Sequence, residues 1–245
     1  TNFDHVYEVL HDEIEFFYLE TREKKTSKIN RWKTKLTMEE LAWDIENGIK
    51  HLGLEGKDFI LAGPCWGATV IIYGLREGIL NAPTILLFDP MHKLFFPKAL
   101  LNIAPIIPNF LITIIKPLLK NMMIGDMEEK SQKERSESLI SEAVIWKWKK
   151  GAYQARNIEL FGSVSDIEKE LLVFNGTTDK VHVQTDYPKL AKEMPKGRFF
   201  FMKTHEKNRE RLMGIVLKEF AKVGEEEKIP EKLRVFEKEL KREER

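Results

Sequence analysis

The stretch FILAGPCWGATVIIYG, residues 59–74, decides the fold of this chain. An apolar run leads into Gly63, and a second, largely apolar run begins after Gly67. This pattern is typical of a buried strand that ends at a tight turn and continues as a helix. The turn holds Cys65, the single cysteine of the chain, between the two glycines.

A strand that ends in Gly-x-nucleophile-x-Gly and turns at once into a helix is called a nucleophile elbow. The glycines are needed because the helix packs close to the strand at a strained turn, where side chains would clash. The start of a helix also favours the reactive thiolate form of a cysteine. The alternative is that Cys65 is a core residue, because cysteine is among the most buried residue types.

Composition limits the class of protein. The chain has 245 residues, of which 42% are hydrophobic and 32% charged, so it is long enough for an α/β domain with a sizeable core and is not a disordered chain. Its 40 basic and 39 acidic residues give a net charge of +1, and we expect no nucleic-acid partner. One cysteine excludes an internal disulfide framework and predicts a reducing, cytoplasmic environment.

Strand and helix patterns alternate along the chain. Apolar segments with the character of buried strands occupy residues 13–20, 57–63, 82–90, 169–176 and 198–205. An amphipathic helix is predicted from Thr37, an N-cap with Glu40 three residues on, to just before Gly53. The alternation predicts an α/β fold with a mostly parallel sheet and flanking helices.

Residues 91–125 differ from the rest, because they are strongly apolar and contain four prolines. A membrane-spanning helix needs about 20 apolar residues with few breaks. The prolines, together with Lys98 and Lys116, therefore argue against a span.

Domain boundaries follow from these changes in composition. We expect an α/β core formed by residues 1–90 and 166–224, a helical cap at 91–165, and a charged C-terminal helix at 225–245. The apolar cap residues either line a pocket above Cys65 or pack into the core of the cap. The predicted substrate contacts are Phe95, Phe96, Phe110 and Leu111.

Two further side chains follow strand ends in the order that this chemistry needs. A thiol nucleophile needs a base, and the base needs an acid that orients it. Asp179 follows the strand LLVFNG and His205 follows the strand RFFFMK, so both are predicted at the sheet edge where Cys65 lies. The alternatives are a turn residue for Asp179 and a partly buried core histidine for His205. Asp89, at the end of the strand 82–90, is the second candidate for the acid.

These motifs resemble those of the α/β-hydrolases, over about residues 2–222 of the chain. The specific segments are FILAGPCWG, LLVFNGTTDKVH and FFFMKTH. The resemblance implies that Cys65 is the nucleophile, His205 the base and Asp179 the acid, and that the backbone N–H of Trp66 donates to the oxyanion. Most members carry serine in the elbow; a cysteine there is similar to dienelactone hydrolases, some thioesterases and polyhydroxyalkanoate synthases.

The resemblance implies hydrolysis of a small-molecule ester or thioester with an apolar acyl group. Because a thiolate nucleophile gives a thioester intermediate, acyl transfer to another acceptor is a variant of the same chemistry. A rival class is a non-catalytic protein that holds a ligand under the cap. Contact of residues 94–124 with a membrane surface is the weakest interpretation. The histidines lack metal-ligand spacing, and we expect neither a metal nor another cofactor.

One feature of the family has no counterpart in the sequence. The second oxyanion donor of α/β-hydrolases lies in a loop after an earlier strand, often with the dipeptide His-Gly, and no such dipeptide precedes Cys65. We therefore expect an N-terminal segment before Thr1, or a companion chain, that completes the sheet with at least one more strand and a glycine-containing loop.

The genomic sequence upstream of the Thr1 codon checks this expectation. Loss of a single oxyanion donor costs about 10²–10³ in rate in a serine protease, so the 245-residue chain alone should turn over substrate slowly. A start codon immediately before Thr1, together with full activity of the isolated chain, would contradict the expectation.

Overall fold

A five-stranded sheet organises the protein. The computed structural model describes residues 3–11, 14–94, 96–125, 130–176, 185–202, 209–223 and 229–241. The strands lie in chain order: β1 (Ile60–Pro64), β2 (Thr84–Phe88), β3 (Leu171–Asn175), β4 (Gly197–Phe201) and β5 (Glu237–Lys238). The first four are parallel, and β5 pairs antiparallel with the outer edge of β4. The structure thus confirms four of the predicted strands and the mostly parallel sheet.

Helices cover both faces of the sheet, because successive strand residues point to opposite sides. Ile85 and Leu87 face one side, and Leu86 and Phe88 face the other. The first side is covered by α2 (Met38–His51), α3 (Trp66–Arg76) and α8 (Asp186–Glu193). The second side is covered by α1 (Asp4–Leu10) and α9 (Arg209–Lys222).

The helices described between β2 and β3 all lie within residues 91–165, the segment predicted as a cap. They are α4 (Lys98–Ile103), α5 (Asn109–Ile124), α6 (Lys130–Glu142) and α7 (Ile145–Gln154). No helix in the described part of the chain is both long and apolar enough to cross a membrane.

The start and end of α2 follow the predicted signals. The Thr37 hydroxyl accepts a hydrogen bond from the Glu40 N–H at 3.3 Å, as expected of an N-cap residue. The helix ends at His51, and Gly53 adopts a positive φ of 62° just beyond it. The left-handed conformation at this position is the usual way to terminate a helix.

The strand predicted at residues 13–20 is wrong for the described part of that segment. Residues 14–20 are extended, and the side chains of Ile14, Phe16 and Tyr18 are half-buried while their neighbours are exposed. Phe16 packs edge-on against Tyr7 of α1, with the two ring centres 5.2 Å apart. The alternation of a strand is present, but among the described residues the segment contacts a helix rather than a strand with which it could form a ladder.

The charged helix predicted at residues 225–245 is also wrong for residues 229–241. That segment forms one helical turn, α10 (Glu231–Arg234), followed by the short strand β5. The backbone C=O of Phe236 accepts a hydrogen bond from the Phe201 N–H at 2.9 Å, and both carboxylate oxygens of Glu237 accept from Arg198 at 2.7 Å. Pairing with the edge of β4 therefore replaces helix continuation.

The close approach of α1 and α9 predicts a strong effect of Gly214→Ala. A Cβ atom at Gly214 would lie 2.8 Å from Cβ of Val9 and 3.3 Å from Cα of Val6, so α1 must move. We expect a loss of about 1–3 kcal/mol in the free energy of unfolding, measured by urea denaturation.

Gly48→Ala is the matched control, because Gly48 also lies inside a helix but a Cβ there meets Leu19 at an ordinary 3.6 Å. This variant should gain up to about 1 kcal/mol from helix propensity. Equal effects of the two substitutions would contradict the packing described for α1 and α9.

Candidate active site

Cys65 lies at the carboxyl edge of the sheet, beside the ends of two other strands. The parallel pairing continues one residue past β1 and β2: the Cys65 N–H donates to the Phe88 C=O at 2.7 Å, and the Asp89 N–H donates to the Phe174 C=O at 2.9 Å. Asn175 ends β3 in the same row. The edge at which parallel sheets place their sites thus carries a thiol, a carboxyl and an amide side by side.

The backbone of Cys65 is strained. Its φ of 51° and ψ of −116° lie outside the regions that residues with a Cβ ordinarily adopt. A non-glycine residue in such a conformation costs about 1–3 kcal/mol and persists only where the surrounding structure holds it. Here the residue is held by β1 on one side and by α3 on the other, since the Cys65 C=O already accepts from the Thr69 N–H at 3.2 Å. This is the conformation expected of a nucleophile elbow.

Gly63 allows α3 to start directly above β1. A Cβ atom at Gly63 would lie 2.8 Å from the backbone nitrogen of Ala68 and 2.7 Å from Cδ1 of Ile71. Backbone atoms cannot yield as a flexible side chain can. The glycine is therefore required by the contact between the strand and the helix, as the sequence predicted.

The N-terminal end of α3 provides the positive electrostatic environment of the site. Cys65 is the N-cap residue and Trp66 the first residue of the helix. The first N–H groups of a helix have no acceptor within the helix and carry the positive end of its dipole. The Trp66 N–H thus lies at the positive end of the helix dipole, next to Cys65.

Asp89 is buried in an ion pair. Its Oδ2 accepts from Nε of Arg209 at 2.7 Å and also contacts Nη2, and its Oδ1 accepts from Nδ2 of Asn175. All three side chains are buried. Arg209 begins α9, so the pair links that helix to the ends of β2 and β3 next to Cys65.

The charge of Arg209 is maintained by this arrangement. Burial by itself lowers the pKa of the guanidinium, but the charge and hydrogen bond of Asp89 outweigh it and hold the pKa above its ordinary value. Arg209 therefore remains charged in its buried position.

The two remaining residues of the predicted triad fall outside the described residues. Asp179 lies within residues 177–184 and His205 within residues 203–208. The strands that precede them, β3 and β4, end at Asn175 and Phe201 on the edge that holds Cys65.

The predicted substrate contacts that the structure describes are not buried in a pocket. Phe95 lies outside the described residues, and Phe96 is half-buried. Phe110 and Leu111 on α5 are exposed. The apolar composition of the segment does not reveal which face of a helix is exposed, because this depends on how the helices pack.

A second acid–base pair on the same side of the sheet was not predicted. Nδ1 of His92 lies 3.3 Å from Oδ2 of Asp186, and the His92 ring lies 4.6 Å from the Phe161 ring, centre to centre. Burial lowers the pKa of His92, although Asp186 and Glu159 oppose the shift. The only feature of the sequence that pointed to His92 was its position shortly after a strand.

Within the described residues, no group of three or more His, Cys, Asp or Glu side chains has the arrangement of a metal site.

Solved structures of hydrolases share this fold. A hydrolase from Oleispira antarctica matches with a TM-score of 0.67 at 11% identity, over 89% of this chain and 83% of that chain. An esterase from Exiguobacterium antarcticum matches with a TM-score of 0.66 at 16% identity, over 82% and 78%. A thermophilic esterase from Thermogutta terrifontis matches with a TM-score of 0.65 at 18% identity, over 89% and 82%.

These likenesses confirm the predicted fold, a mostly parallel sheet with flanking helices of the α/β-hydrolase type. At such low identities they show the fold alone. No protein-family model matches the sequence, and no curated protein matches it.

Two glycines of the elbow should respond differently to alanine. Gly63→Ala should lower the free energy of unfolding by about 1–3 kcal/mol, because the new methyl group meets backbone atoms of α3. Gly67→Ala is the control: its Cβ would meet only Cδ of Pro64, at 3.7 Å, and stability should change by less than about 1 kcal/mol. Urea denaturation of both variants measures the difference, and an unchanged midpoint for Gly63→Ala would refute the close approach.

Proposed function

We propose that this protein hydrolyses a carboxylic ester or thioester with an apolar acyl group, with Cys65 as the nucleophile. The observation that carries the proposal is the backbone of Cys65, strained at φ 51° between the end of β1 and the start of α3. Strain of this kind is kept where a residue has to be held out for reaction. The hydrolase and esterases of the same fold make acyl chemistry the favoured class.

The environment of Cys65 supports a thiolate. The N-terminal end of α3 stabilises negative charge at the sulfur. A core cysteine has no need of such an environment, and Cys65 is half-buried rather than buried.

In the proposed reaction, the Cys65 sulfur attacks the acyl carbon, and His205 takes up the thiol proton. The tetrahedral oxyanion accepts a hydrogen bond from the Trp66 N–H. It then collapses to a thioester on Cys65, and the leaving alcohol or thiol takes the proton from His205. Water, deprotonated by His205, attacks the thioester, and collapse of the second tetrahedral intermediate releases the acid and returns the proton to the thiol.

We assign the orienting acid to Asp179. Asp89 is the alternative, but its carboxylate already accepts from Arg209 and Asn175 in a buried cluster. An acid bound to a guanidinium is a poor partner for an imidazolium, since breaking the pair would leave Arg209 charged and buried.

The single cysteine makes the central test direct. Iodoacetamide should add one label to the native protein, at Cys65, and should react faster there than with a free thiol at neutral pH because a thiolate is favoured. His205→Ala should slow the labelling. Intact-mass spectrometry follows the rate, and labelling that occurs only after denaturation would show that Cys65 is a core residue.

Turnover separates hydrolysis from ligand binding. Release of p-nitrophenol from medium-chain esters should fall to background in Cys65→Ala. Asp179→Asn should reduce turnover by up to about 10⁴-fold, the loss known for a serine triad, and should leave the unfolding midpoint unchanged.

Asp89→Asn should instead lower the free energy of unfolding by about 3–5 kcal/mol, because it leaves the buried charge of Arg209 uncompensated. Turnover that survives in Cys65→Ala would refute the proposal.

A further inference from the structure

Helix α5 presents its apolar side to solvent. Phe110, Ile114 and Leu118 follow at intervals of four, which places them on one stripe of the helix. Their exposed fractions are 63%, 69% and 62%. Ile106, Leu111 and Met122 are exposed beside them, and these six residues are called the apolar face below.

The two lysines of α5 lie on the side of the helix that faces α6. Nζ of Lys116 donates to the Ser141 C=O at 2.7 Å, and Nζ of Lys120 forms an ion pair with Glu137 at 3.2 Å, so both lysines contact α6. A surface helix of a globular protein normally has the reverse orientation, with its apolar stripe on the core and its charges in water. A contiguous exposed patch of this kind marks a site of interaction.

Helix α7 lies between a basic segment and the start of α5 and contacts both. Residues 21–36, called the basic loop below, contain seven Lys or Arg and one acidic residue. Nζ of Lys147 donates to the backbone C=O of Arg22 and of Ser27, and Nζ of Lys150 to that of Arg31. On the other side, Nζ of Lys149 donates to the C=O of Ile107 and to Oδ1 of Asn109, at the start of α5.

The basic loop also carries an exposed aromatic residue. Trp32 is 83% exposed, and the Arg31 guanidinium lies 5.2 Å from the centre of its ring. Tryptophan beside basic side chains is enriched where proteins meet the interface of a lipid bilayer.

Positive charge is concentrated in the basic loop. The basic loop has a net charge of +6, whereas the whole chain has +1 and the residues outside the loop have −5. Within the loop, Arg22 pairs with Glu40 and Asp44 of α2. A surface that joins an apolar face to basic groups is complementary to an apolar layer bordered by anions.

We propose that the apolar face and the basic loop form one surface that docks on an anionic phospholipid bilayer. The apolar face enters the headgroup region, while the lysines of the basic loop lie against lipid phosphates. Helix α5 lies in the plane of the interface, because its 16 residues span only about 24 Å, less than the hydrocarbon thickness of about 30 Å, and contain Pro117.

A second copy of the chain is a less favoured partner for the apolar face than a bilayer. Two copies that met through the apolar face would bring the adjoining basic loops close together on the two sides of the interface. Two surfaces with the same strong positive charge repel each other, whereas anionic lipid neutralises both segments.

Sedimentation with vesicles tests the proposal. The protein should sediment with vesicles of phosphatidylcholine and phosphatidylglycerol in equal parts, and high salt should weaken this binding because it screens the basic loop. Ile114→Gln with Leu118→Gln should weaken binding about tenfold or more, and Val235→Gln, at an exposed apolar residue of another region, should leave it unchanged.

The basic loop is tested separately. Lys25→Gln, Lys28→Gln and Lys33→Gln together should weaken binding about tenfold or more. The same change at three exposed lysines elsewhere, Lys57, Lys192 and Lys238, should have little effect. Circular dichroism of each variant verifies that the fold is kept.

Three results would overturn the proposal. The first is a wild-type protein that does not sediment with anionic vesicles. The second is binding to pure phosphatidylcholine vesicles that is as strong as binding to anionic ones. The third is a dimer by light scattering that Ile114→Gln with Leu118→Gln converts to a monomer, which would assign the apolar face to a second copy. None of these measurements depends on Cys65, so they are independent of the proposed hydrolysis.

Discussion

The ion pair between Asp89 and Arg209 connects the parts of this structure that the site requires. Its carboxylate follows β2, its guanidinium begins α9, and Asn175 at the end of β3 completes the set of hydrogen bonds. Both charges are buried, so the pair is stable only while these elements keep their positions. The main contribution of the pair is therefore to set the relative positions of β2, β3 and α9. It fixes the carboxyl edge of the sheet immediately beside Cys65.

The strain at Cys65 depends on that fixed frame. A residue with a Cβ adopts φ 51° only if the backbone before and after it cannot relax. Strand β1 is held by its ladder to β2, and α3 is held close to β1 through the contact at Gly63. The same geometry places Cys65 at the start of α3, beside the Asp89–Arg209 pair. Packing, strain and electrostatics thus act on a single side chain.

The helices between β2 and β3 bury their apolar side chains less completely than the core does. In the core, the apolar side chains of β2 and β3 are removed from water by helices on both faces. On α5 both lysines contact α6, whereas Phe110, Ile114 and Leu118 remain in water. Such an arrangement leaves hydrophobic free energy unrealised in the isolated chain. That free energy is available for association with an apolar phase.

Much of the fold is determined by local sequence. Residues 59–74 specify a strand, a turn and a helix by their own composition, and four strands and the N-cap at Thr37 lie where the pattern predicts them. The elbow at Cys65 could be predicted because Gly63 meets a steric requirement that acts between residues close in sequence, whereas a Cβ at Gly67 would meet no close contact. Hydrophobic periodicity and turn chemistry carry this information because both depend on near neighbours.

Other features depend on contacts that are distant in sequence. The segment 13–20 has the pattern of a strand, yet its described residues lie against α1, because a ladder needs a partner that no local pattern specifies. The tail becomes α10 and β5 because the edge of β4 offers hydrogen bonds to Phe236. The partners of Asp89 lie 86 and 120 residues away along the chain, and the outward orientation of α5 follows from how α6 and α7 hold it. The sequence by itself determined which side chains are apolar or charged; only the tertiary structure decided what each of them faces, since the fold alone sets the neighbours of a residue.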